Sequence, residues 1–228
     1  MPRQTPASDA GLRAFEQELN ASQRRLFRSL DSPASIQAFL DSIPYSADPR
    51  YRCPLNVLRD RKAHCYDGAL LAIAALRRLG RRPMLVDMLA WRDDDHMLAV
   101  YREDSHFGAV AKSNFVGLRY REPIYRSLRE LVVSYFEDFY NMEGYKSLRA
   151  YTRPLDLATL DHLDWMRSDA AMDVIAERLG RRATTRVVDR RMVARLAPID
   201  RRAYRAGMLG AVRAGIYFPP KARKPRGA

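Results

Sequence analysis

The spacing of apolar residues divides the chain into a helical front, a short run of strands and a helical back. Leu12, Phe15, Leu19, Leu26 and Leu30 recur at helical intervals and predict a helix over 9–30, with Ser8 and Asp9 as caps. A second helix is expected near 34–42, stopped by Ile43-Pro44, and the polar stretch 45–54 reads as a loop. Pro54 suits a first helical position and predicts a short helix over 54–61. The stretch 65–79 is apolar on all sides, so it is a helix of the core and not of the surface. It stops at Gly80, with Arg77 and Arg78 in its last turn.

Beyond Gly80 the pattern turns to strands. Residues 84–91 predict a strand, Asp93-Asp94-Asp95 a tight acidic turn, 96–102 a second strand, Asp104-Ser105 another turn and 107–112 a third strand. Connectors this short imply an antiparallel meander. A long amphipathic helix is expected at 123–140, where Tyr135, Phe136, Phe139 and Tyr140 fall at helical spacing and read as packing residues. Further helices are expected near 169–180, 187–196 and 199–213, with a boundary near 168 where acidic residues thin out.

Composition narrows the class. At 228 residues and 47% hydrophobic, the chain can bury a real core in one generous domain or in one domain with an appendage. No stretch has the roughly 18 consecutive apolar residues of a membrane span. The N-terminus lacks the apolar region of a secretory signal, and two cysteines make no disulfide framework, so the expectation is a cytoplasmic protein with reduced thiols. Net charge is +13, and about +10 of it falls in 186–228, which holds twelve basic and two acidic residues. That end reads either as a foothold on an acidic partner or as a solubilising tail.

The candidate chemistry sits at the start of the core helix. Cys65 would face unpaired backbone N–H groups and the positive end of the helix dipole, both of which favour thiolate. His96 opens the second strand, and a Cys at a helix start followed by a strand His is the layout of a nucleophilic Cys–His pair. The acidic run before His96 would favour imidazolium by its charge. Asp-Asp-Asp-His also hints at a metal, but no second ligand cluster accompanies it, so neither metal nor cofactor is expected. Cys53 has no comparable context.

Cys65-Tyr66-Asp67-Gly68-Ala69-Leu70-Leu71, the Leu79-Gly80 helix end, the strand to Trp91 and the opening His96 together resemble the transglutaminase-like superfamily, a branch of the papain-like cysteine fold, and most of all its bacterial members. The resemblance spans about residues 50–120. It implies an α+β fold: a buried Cys helix packed on an antiparallel sheet, with flanking N- and C-terminal helices. With the compositional boundary near 168, the expected organisation is a catalytic domain over 1–168 and a basic helical extension over 169–218, and the Pro-, Lys- and Arg-rich stretch 219–228 reads as a disordered basic tail. It implies Cys65 as nucleophile and His96 as general base and acid. The family's third member, a carboxylate on the next strand, has no counterpart here. Asn114 is the best substitute and Ser113 the second, with His64 and Lys112 as substrate-facing candidates. The expected activity is a cysteine-dependent amide hydrolase or acyltransferase acting on a peptide or other amide through a thioester. The alternatives are an inactive binding module on the same scaffold, or a basic protein associated with nucleic acid.

Overall fold

The computed structural model describes residues 9–220. The N-terminal helical signal resolves into two helices, α1 (Ala10–Glu18) and α2 (Ala21–Ser29). The break at Asn20 has a local cause: its side chain accepts from the Gln23 N–H at 2.9 Å, and the Gln23 side chain accepts from the Asn20 N–H at 2.9 Å. This reciprocal capping box starts a new helix inside an otherwise continuous apolar period. Helix α3 (Pro33–Ser42) starts from a capping box at Ser32, and α4 (Pro54–Asp60) carries its proline at the first position, as expected.

Helix α5 (Cys65–Arg78) is the centre of the molecule, with Tyr66 to Leu76 buried without interruption. Its apolar circumference is matched by partners on all sides: α3 and α4 on one, the sheet on the other. Each fully buried leucine along it stabilises the fold by about 1.5–3 kcal/mol. Gly68 lets α5 approach the end of the third strand, since a Cβ there would stand 2.3 Å from Lys112 Cβ.

Six strands among the described residues form one antiparallel sheet: β1 (Met84–Ala90), β2 (His96–Glu103), β3 (His106–Val110), β4 (Arg121–Tyr125), β5 (Leu148–Thr152) and β6 (Thr184–Arg186), in the order β4-β3-β2-β1-β5-β6. The β2–β3 turn has both Asp104 and Ser105 at positive φ, the geometry that suits a two-residue hairpin. Strand alternation sorts the side chains. Leu85, Ala99 and Tyr101 pack toward α5, whereas Val86, Met88, Leu98 and Val100 pack on the other face with Leu131, Val132, Tyr135 and Phe139. The fold is therefore α+β, with the Cys helix against an antiparallel sheet and helices before and after it. That is the order of parts the transglutaminase-like resemblance implies.

The long helix expected at 123–140 is not there. Residues 121–125 form the edge strand β4, α6 (Leu128–Val133) is short, and turns follow to Tyr140. Pro123 disfavours a helix through this point, and an edge strand tolerates its missing N–H. The expected third strand ends at Val110, ahead of Lys112. After residue 168, α7 (Met172–Gly180) buries Met172, Ile175 and Leu179 in the same core as α5, and β6 extends the sheet. Helices α8 (Arg190–Val193) and α9 (Arg201–Gly207) are shorter than their sequence signals and bury no residue. The basic tail expected over 219–228 lies, from 221 on, outside the described residues. Among the described residues no helix is long and apolar enough to cross a membrane.

Candidate functional site

Cys65 and His96 line one narrow cleft together with Tyr45, the Asp93–Asp95 turn, Leu118 and Phe139. The fold brings them there by different routes. Cys65 is the first residue of α5, whose start is fixed by a third reciprocal box. His64 Nδ1 accepts from the Tyr66 N–H at 3.1 Å, and Asp67 Oδ2 accepts from the His64 N–H at 3.3 Å. His96 opens β2 on the face turned away from α5. The two residues share a cleft because the sheet ends there: Cys65 Sγ lies 4.0 Å from the Asp95 carbonyl oxygen, and the Met97 N–H faces the sulfur. Asp95 shapes that end by accepting from the Ala90 N–H at 2.7 Å, and Asp93 accepts from the Ser147 hydroxyl at 2.7 Å.

The imidazole is oriented by the main chain. His96 Nε2 lies 2.7 Å from the Leu118 carbonyl oxygen, which can only accept, so Nε2 carries the proton and Nδ1 is left with the lone pair. Phe139 meets the ring edge-on, with centroids 6.4 Å apart. The ring nitrogen that a third side chain would contact thus meets a backbone carbonyl instead. Asn114, the first choice for that role, turns its amide to residues 212 and 215: Nδ2 donates to the Val212 and Gly215 carbonyls at 2.9 and 3.1 Å, and Oδ1 accepts from the Val212 N–H at 2.8 Å. Ser113 accepts from the Phe115 N–H at 2.9 Å, holding its own turn.

The two candidates for facing a substrate have structural partners. His64 is the cap of α5. Lys112 is buried and donates to the Leu40 and Ile43 carbonyls at 2.7 and 2.6 Å, ending α3 with a cation where a helix C-terminus favours one. Tyr45 is the neighbour that sequence reasoning missed. Its hydroxyl lies beside both the sulfur and the backbone N–H of Cys65. A lone Tyr in a polar loop carries no signal for this, because its position depends on the bridge that pairs Tyr45 with Ala63.

Electrostatics at the cleft differ from the expectation of a thiolate. Burial pushes the Cys65 thiol up to about 12, with the Met97 N–H opposing and Asp87, Asp94 and Asp67 adding to the rise. Burial likewise brings His96 down to about 4, against the contrary pull of the Leu118 carbonyl. The helix dipole is the smaller influence here, since desolvation of a charge in a packed site outweighs a fraction of a kcal/mol from the helix end. At rest, Cys65 is therefore a neutral thiol and His96 a neutral imidazole. The acidic turn is affected in the same way, with burial pushing Asp93 up to about 7.

Two structures of Legionella pneumophila LapG are similar to this chain. One has a TM-score of 0.33 and 14% identity over 59% of this chain and 98% of that one. The other, EGTA-treated, has a TM-score of 0.32 and 15% identity over 50% of this chain and 72% of that one. Superpositions this loose carry no argument about fold or chemistry. No family model and no curated protein matches the chain.

Asp87, on β1 beside the cleft, is 6% exposed, and its Oδ1 has no hydrogen-bond partner. Burial first, and then Asp95, pushes its carboxyl from 3.8 up to about 8. An acid that holds its proton more tightly when folded stabilises the fold fully below its unfolded pKa. That contribution falls as pH rises from 3.8 and is lost once pH passes about 8. Thermal melts of Asp87→Asn against wild type are thus expected to show the variant gaining ground from pH 5 to pH 8. A constant difference across that range would mean Asp87 ionises normally.

Proposed function

We propose that this protein is a cysteine-dependent amide hydrolase or acyltransferase with Cys65 as nucleophile and His96 as general base and acid. The observation that carries this reading is the shared cleft, in which Nε2 of His96 is locked on the Leu118 carbonyl and Nδ1 keeps its lone pair. As Sγ bonds to the substrate carbonyl carbon, its proton passes to Nδ1. The imidazolium that forms keeps Nε2–H on the Leu118 carbonyl, which stabilises it as a neutral acceptor can. Nδ1 then returns the proton to the leaving nitrogen as the C–N bond breaks, leaving a thioester on Cys65. Water or an amine gives its proton to Nδ1 and attacks the thioester. Cleavage of the C–S bond releases acid or transferred amide, and the sulfur recovers its proton. The Met97 N–H is placed to hold the developing thiolate.

A second reading, a binding module on the same scaffold, draws on the thiol held near 12 and on the neutral partner of His96. Incubation with activated acyl donors such as p-nitrophenyl esters, read by intact mass and peptide mapping, separates the two. A transient acyl adduct on Cys65 that hydroxylamine releases is the expected result. Acylation that fails at Cys65 under all conditions, with donor hydrolysis unchanged in Cys65→Ala, supports the binding module.

A further inference from the structure

The cleft is occupied at one end by the chain's own C-terminal arm. Gly215 and Tyr217 line it together with Cys65 and His96. The arm is tied down along its length. The Ile199 N–H donates to the Gly144 carbonyl at 2.9 Å, and Tyr140 hydroxyl donates to the Tyr204 carbonyl at 3.1 Å in α9. Beyond α9, the arm reaches Asn114. All three Asn114 hydrogen bonds go to main-chain atoms of Val212 and Gly215, so they read a backbone and not a side chain. Residues 213–215 form a tight turn closed by the Gly215 N–H on the Val212 carbonyl at 3.0 Å. That turn presents Gly215 to the Tyr45 ring.

The fit at Gly215 is selective. A Cβ there would stand 2.7 Å from Tyr45 Cδ1 and Cε1 and 3.3 Å from Asn114 Nδ2. Tyr45 cannot yield freely, because its hydroxyl is lodged beside the sulfur and N–H of Cys65. Tyr45 is thus a wall shared by the reactive thiol and the glycine slot.

We infer that Asn114 and Tyr45 form a peptide-binding subsite that takes a backbone turn with glycine against Tyr45, and that residues 212–217 fill it in cis as a plug of the cleft. This rests on the catalytic reading of the cleft for its meaning, but not for its test. An unplugged cleft admits water along the Tyr45 side, which rehydrates the thiol. The ligand the subsite accepts in trans is a peptide turn bearing glycine. The three bonds to Asn114 ask nothing of the neighbouring side chains.

The test uses the full chain and the rate of Cys65 alkylation by iodoacetamide near neutral pH, followed by peptide mapping. Gly215→Val keeps Asn114 and Tyr45 but spoils the fit, and is expected to raise the alkylation rate about tenfold or more, roughly the loss of one hydrogen bond's worth of holding energy. An excess of an acetylated peptide of sequence 211–218 slows the variant back toward the wild-type rate. The same peptide with Gly215→Val does not. Asn114→Ala also alkylates faster, and there neither peptide protects. Equal alkylation of wild type and both variants overturns the plug, and equal protection by the two peptides overturns the glycine slot. A His96→Ala change in the Gly215→Val background separates this from the catalytic reading. If the pH profile of alkylation does not move, Cys65 and His96 are not a working pair, while the plug still stands or falls on the peptides.

Discussion

Exchange of His96 for alanine is expected to lower the rate of Cys65 acylation by about 10²–10⁴-fold, the usual contribution of a positioned proton-transfer group. That is roughly 3–5 kcal/mol of transition-state stabilisation at 1.36 kcal/mol per tenfold. The loss is large because the resting thiol, held at about 12, has almost no thiolate at neutral pH and depends on a base at the moment of attack. His96→Gln sharpens the result. A Gln amide can still donate to the Leu118 carbonyl, which Nε2 reaches at 2.7 Å, but it cannot carry a proton between sulfur and leaving group. Both variants are expected to lose acylation alike while keeping cooperative melts. The measurement is the single-turnover rate of adduct formation on Cys65. Rates within threefold of wild type in both variants would remove His96 from the chemistry.

The second large effect concerns the support under α5. Arg52 is 2% exposed and binds Asp60 through Nε at 3.0 Å, Ser46 through Nη1 at 3.1 Å, and Asp48 through Nη2. Its Nη1 lies 3.8 Å from Asp67 Oδ2, and its backbone N–H donates to Asp67 Oδ1 at 2.8 Å. Asp67 is fully buried, and burial pushes its carboxyl above the ordinary range in spite of the guanidinium. Arg52→Leu leaves that buried carboxyl without its guanidinium neighbour, while Asp48 keeps Lys62 and Asp60 keeps Arg50 and Arg59. A loss of about 3–5 kcal/mol in urea unfolding is expected, the cost of breaking one side of a buried pair. Asp67→Asn in the Arg52→Leu background recovers part of it, because the buried charge is then gone. A loss below about 1 kcal/mol would show that water already reaches this cluster. The site is affected with the fold, because Asp67 is also the reciprocal cap of the helix that begins at Cys65.

Where the chain's local chemistry was sufficient, the sequence could be read directly. The all-round apolar run from Tyr66 to Leu76 is buried from end to end, and the strands expected at 84–91 and 96–102 form as β1 and β2 with close to those limits. The short turns between them produced the antiparallel meander. Where a local signal competed with the apolar period, the boundary moved. Asn20 and Gln23 split the first helix, and Pro123 turned an apparent helix into an edge strand.

Sequence alone determined that a cysteine starts a core helix and that a histidine opens the second strand of a meander, since both follow from periods of 3.6 and 2 that each segment carries in itself. Tertiary structure decided what surrounds them. The partner of His96 is a main-chain carbonyl, which every residue possesses and no side-chain pattern announces. Asn114 was legible as an amide near the cleft, but not as the clamp on a segment about a hundred residues away. The protonation of the pair was beyond the sequence for the same reason. A helix start argues locally for thiolate, whereas desolvation is the sum over every atom packed around the sulfur, and only the folded chain sets that sum.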